Sequence, residues 1–62
     1  MCELKVVMVK GDTRSMVMES VTRIIVDGDD IGLYGILGEK ESVKGFIKEI
    51  NFTTGEAIIV NR

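Results

Sequence analysis

Val21-Thr22-Arg23-Ile24-Ile25-Val26, then Asp27-Gly28-Asp29-Asp30, then Ile31-Gly32-Leu33-Tyr34-Gly35-Ile36-Leu37 is the stretch that decides the fold. Two runs rich in Val, Ile and Leu flank a four-residue break. β-branched residues favour strand, because their stiff side chains pack well on a pleated surface. Asp-Gly tolerates the positive φ of a tight hairpin turn. The stretch therefore predicts two antiparallel strands joined at residues 27–30. The two glycines inside the second run, Gly32 and Gly35, mark bending or close backbone approach.

The same period-2 pattern extends in both directions. Leu4, Val6 and Met8 share one parity and Glu3 and Lys5 the other, which predicts a first strand over roughly residues 2–10. Gly11-Asp12 opens a turn, and a second short strand begins over 16–18. Glu19-Ser20 reads as a bulge or kink before the run at 21–26. Beyond 31–37, Gly38-Glu39-Lys40-Glu41 turns the chain. Residues 42–50 then form one strand, with Gly45 as a bulge. The last hairpin turns through Asn51 to Gly55 and returns as a strand over 57–60. The competing reading is a short helix over 14–24, capped by Ser15. No stretch of ten residues keeps helical spacing with caps, so strand is preferred. Five to six short antiparallel strands predict an all-β domain, a small SH3-like or Sm-like barrel. Its last strand lies beside an earlier one, hiding edges that would otherwise invite aggregation.

The chain has 62 residues, which allows one domain spanning 1–62. A chain this short has a thin core and usually needs a staple: disulfides, a metal or a partner chain. It contains one Cys and no His. A disulfide within the chain, a His-ligated metal, a Ser-His-Asp triad and a Cys-His dyad are all excluded. No apolar run approaches the ~18 residues of a membrane span. The N-terminus lacks the basic start of a signal peptide, so the expected location is the cytoplasm, where a lone Cys stays reduced. The formal net charge is −2, with two Phe and one Tyr. That argues against a nucleic-acid surface, which needs basic patches and aromatic platforms.

Most short motifs fail on inspection. Asp27 to Gly32 resembles the start of a calcium loop, but Ile31 and Gly38 stand where oxygen ligands are required. Asn51-Phe52-Thr53 fits the glycosylation pattern without a secretory signal. The glycines at 28, 32, 35 and 38 lack phosphate-binding spacing. Glu39, Glu41, Glu49 and Glu56 interleave with Lys40, Lys44 and Lys48 as a solvated mixed-charge face. No pair stands out as the two carboxylates of a hydrolase. Met8, Met16 and Met18 sit in strand-like runs as gap-filling core. The expectation is a non-enzyme.

Cys2 carries the one unusual chemistry. By parity it is a small core residue beside Leu4. By position it is more, because trimming of Met1 leaves an amine and a thiolate on adjacent carbons, able to close a five-membered chelate. With Met1 retained, the Cys2 amide nitrogen can serve once metal binding deprotonates it. One chain then offers too few ligands for a closed site, whereas two chains about a two-fold axis offer two thiolates and at least two nitrogens. That set suits Ni(II) or Cu(II) in square-planar geometry; Zn(II) prefers a tetrahedral set of side chains. Glu3 adds a neighbouring carboxylate and is counted with Cys2 as a candidate metal residue.

The Met1-Cys2 start running into Lys5-Val6-Val7, the Asp27-Gly28-Asp29 hairpin, Leu37-Gly38-Glu39 and Val43-Lys44-Gly45-Phe46-Ile47-Lys48-Glu49-Ile50 resemble the CooT family. The resemblance covers essentially the whole chain. It implies homodimers of small all-β subunits that bind Ni(II) through the Cys after the initiator Met, here Cys2. It also implies a role as a metallochaperone in maturation of carbon monoxide dehydrogenase, the client enzyme. The alternative is an Sm-like RNA- or protein-binding module using Lys5, Lys10, Arg14, Arg23, Lys40, Lys44 and Lys48, with Cys2 merely in the core.

Overall fold

A computed structural model describes residues 3–61. The elements are β1 (Leu4–Lys10), β2 (Thr13–Asp27), β3 (Asp30–Gly35), β4 (Lys40–Lys44), β5 (Phe46–Asn51) and β6 (Glu56–Val60). They form one six-stranded sheet in the order β4-β3-β2-β1-β6-β5. The all-β expectation holds, and the helix considered over 14–24 is strand throughout.

The predicted hairpin forms as read: Val26 pairs with Ile31 and Asp27 with Asp30, across a turn with Gly28 at φ 62°. The two segments expected around a kink are one long strand, β2, that changes partners. Its first part pairs with β1 and its last part with β3, and Val21 pairs with both Leu4 and Gly35. The corner is Ser20, a non-glycine residue at φ 56°. Its carbonyl accepts a hydrogen bond from the Ile36 amide at 3.0 Å. Alternation then does the rest. Leu4 and Val6 on β1, Val21 on β2, Ile31 and Leu33 on β3, and Ala57 and Ile59 on β6 form the buried cluster. Burying a side chain of this size stabilises by about 1.5–3 kcal/mol. On the other face of β3, the Tyr34 ring lies beside Gly32. Arg23 and Lys40, its register partners, place their cations 5.2 and 5.6 Å from the ring centre.

Three expectations need correction. The single strand over 42–50 is two strands, β4 and β5, that lie at opposite edges of the sheet. Gly45 is the whole connection, not a bulge within one strand. Its amide donates to the Asp29 carbonyl at 2.9 Å, its φ is 152°, and a Cβ there would run into the Val60 carbonyl oxygen. The sheet is also not purely antiparallel, since β6 runs parallel to β1 from Lys5↔Glu56 to Val9↔Val60. Lastly, the SH3-like or Sm-like barrel does not close. The two edge strands come together at the Gly45 corner but share no ladder. Both edges are blunted for pairing: β4 carries Lys40, Glu41 and Lys44, and β5 has a register break around Lys48.

Candidate metal centre

Cys2, the principal candidate ligand, lies outside the described residues. Glu3 is exposed and immediately precedes β1. The elements around that point are well defined. Leu4 is buried opposite Val21, and the Lys5 amide donates to the Gly55 carbonyl at 2.8 Å. The Glu3 carbonyl oxygen lies 3.7 Å from where a Cβ on Gly55 would stand. The start of β1 is thus held between the Ser20 corner on one side and the β5–β6 turn on the other.

Each flank ends in a turn fixed by its own hydrogen bonds. In the β3–β4 turn, Glu39 Oε1 accepts from the Leu37 amide at 2.9 Å, and the Gly35 amide donates to the Glu39 carbonyl at 2.9 Å. In the β5–β6 turn, Asn51 Oδ1 accepts from the Thr53 and Thr54 amides, at 2.9 and 3.2 Å, and the Gly55 amide closes onto the Asn51 carbonyl. Both turns present apolar side chains to water: Leu37 is 85% exposed and Phe52 68%. Sequence reading assigned 38–41 and 51–55 as turns but missed that the second borders the N-terminal end of β1, while the first meets β2 at the Ser20 corner. The missing information was the parallel β1–β6 pairing.

The remaining candidates separate. Among the described residues no three His, Cys, Asp or Glu side chains converge on a point, and no enclosed pocket exists. Of the four glutamates on the mixed-charge face, Glu39 caps its turn and Glu56 meets Arg14 at 3.5 Å. The basic residues of the RNA-binding alternative are dispersed. Arg14 is paired with Glu56, Arg23 and Lys40 sit over Tyr34, and Lys44 binds Asp30 at 2.8 Å. The hydrogen bond to Asp30, and then its charge, raise the Lys44 pKa above 10.5. They do not form the continuous basic stripe that phosphates require.

The chain matches the family model described as CO dehydrogenase accessory protein CooT over residues 1–60. It belongs to the CooT family. The match includes Cys2 and the whole sheet. No curated protein matches. Among solved structures, the fold matches the crystal structure of a putative CooT from Carboxydothermus hydrogenoformans with TM-score 0.89 and 23% identity, covering 98% of each chain. That likeness establishes a shared sheet architecture. CooT membership makes this chain an accessory to a nickel enzyme, CO dehydrogenase, rather than an enzyme itself.

Proposed function

We infer that this protein is a cytoplasmic nickel metallochaperone whose cargo, Ni(II), is held by the Cys2 thiolate and an adjacent main-chain or terminal nitrogen. Two chains share one ion, and the cargo is passed to CO dehydrogenase during its maturation. The observation that carries the reading is the CooT match, which begins at residue 1 and so includes the Met1-Cys2 start. The ligand supply agrees with it. The chain has one Cys and no His, and among the described residues no other metal-ligating cluster forms. A soft thiolate with amide or amine nitrogen favours Ni(II) over hard cations such as Mg(II). Two copies about a two-fold axis double a half-set into a full one. Glu3 stands next in the chain, where its carboxylate tunes the charge of the site.

The test is a Ni(II) titration of protein with a free N-terminus, wild type beside Cys2→Ala. The expected result is one Ni(II) per two chains with a thiolate-to-metal charge-transfer band, both lost in the variant. Undiminished tight binding by Cys2→Ala would refute the assignment. Glu3→Gln is expected to keep the band and change the affinity only.

A further inference from the structure

Three side chains stand in one row on the outer face of the β2-β3-β4 half of the sheet. Tyr34 pairs with Arg23 on one side and with Lys40 on the other. Cross-strand rows ordinarily set cations against acids. Here two cations share one ring, at 5.2 and 5.6 Å from its centre, and neither stands in an ion pair with a described residue. The neighbouring acids are turned elsewhere. Glu39 accepts from the Leu37 amide, and Glu41 stands opposite Leu33, on the core side. Asp27 and Asp30 share the outer face but lie two rows further along, roughly 13 Å down the strand, with Asp30 held by Lys44. The chain as a whole carries a net charge of −2, so this uncompensated pair of cations runs against its composition. Ile25, opposite Gly32 in the next row, adds exposed apolar surface beside it.

We propose that the Arg23-Tyr34-Lys40 row docks a short acidic segment of a protein partner, with one carboxylate on each cation. Charge complementarity selects the sign, since two cations without a counter-charge call for anions. The ring selects against a nucleic acid. Arg23 and Lys40 already lie over Tyr34, so a nucleobase stacks there only by displacing one of them, whereas carboxylates meet both with the row undisturbed. The open surface selects against a small free anion. No enclosed pocket exists among the described residues, and an ion pair left in water is worth little. A polypeptide that covers the row excludes that water and strengthens each contact. The spacing suits an extended segment. β2 and β4 lie two strands apart, roughly 10 Å, and acidic residues separated by one position in an extended chain stand roughly 7 Å apart. The flexible stems of Arg and Lys close the difference. The site uses neither Cys2 nor Glu3, so it stands independently of the nickel reading.

The test is fluorescence anisotropy of a short dye-labelled peptide of Asp, Glu and one Phe, titrated with metal-free protein at low salt. Wild type is expected to bind it, and added salt to weaken the binding, because both contacts are exposed charges. Arg23→Gln and Lys40→Gln are each expected to weaken it about threefold, and the double variant about tenfold, with unchanged far-ultraviolet spectra. Lys48→Gln, on β5 at the other edge of the sheet, is expected to bind as wild type does. Absence of peptide binding by wild type would overturn the proposal. So would an equal loss in Lys48→Gln, which would mean a diffuse charge effect. A uridine-rich oligonucleotide that binds more tightly than the peptide, with the same dependence on Arg23 and Lys40, would overturn the choice of a protein partner. Displacement of the peptide by an equal concentration of inorganic phosphate would reduce the row to a simple anion site. Nickel binding is expected to be unchanged in the double variant, so failure of either reading leaves the other standing.

Discussion

Gly45→Ala is the substitution that most directly tests how this sheet is built. Gly45 carries the chain from one sheet edge to the other at φ 152°, and a side chain there meets the Val60 backbone rather than a movable tip. Holding a residue with a Cβ in that sparsely populated region costs roughly 1–3 kcal/mol. Displacing the Val60 carbonyl also weakens the start of the β5–β6 ladder at Phe46↔Val60, about 1 kcal/mol more. The expected loss is therefore about 2–4 kcal/mol, against a total of about 3–9 kcal/mol for a chain of this length. At about 4–8 °C per kcal/mol, Tm falls on the order of 15 °C. The assay is urea and thermal unfolding at fixed protein concentration, because association contributes to apparent stability. Gly11→Ala is the control: its φ is 61° with open space around it, so it bears the left-handed backbone cost alone, about 1 kcal/mol. Equal losses for the two variants would refute the argument that a backbone collision fixes this corner.

Two further substitutions probe separate features. Ser20→Gly removes the left-handed strain at the β2 corner, about 1–2 kcal/mol, and adds about 0.5–1 kcal/mol of unfolded-state entropy, so a net gain of up to about 1.5 kcal/mol is expected from urea unfolding; a loss would mean that the Ser20 side chain supports the corner. Asp30 raises the Lys44 pKa, so the bridge is intact below the ordinary Lys value of 10.5 and is lost as pH rises through the higher folded value. Lys44→Met should accordingly lose less stability than wild type as pH rises above 10.5, and equal losses would show the bridge to be inoperative in solution.

Local chemistry made the strands and turns legible, and long-range pairing was not. The Asp27-Gly28 turn, the parity of Leu4, Val6 and Met8, and the kink at Glu19-Ser20 each follow from rules that act over a few residues. Gly45 shows where such rules stop. A glycine in a β run reads as a bulge whether the chain continues along one strand or crosses to another edge, because the distinction lies in partners 15 or more residues away. The parallel β1–β6 ladder was hidden for the same reason, and with it the β5–β6 turn beside residue 3. Cys2 stood out through the chemistry of its position rather than any folded neighbourhood, and Glu3, exposed at the start of β1, is where that chemistry joins the sheet.

The parallel alignment of β1 and β6 also fixes where a handle can be attached. Because Val9 is level with Val60, the polypeptide leaves residue 61 at the far end of the sheet from residue 3, about six residue spacings, or roughly 20 Å, along the strands. An antiparallel last strand would have returned it beside residue 3. A fluorophore, affinity tag or surface tether placed after residue 62 therefore sits away from the start of β1. Such a fusion leaves the N-terminus untouched for the nickel titration proposed above, whereas the same tag before Met1 takes the terminal amine out of that test.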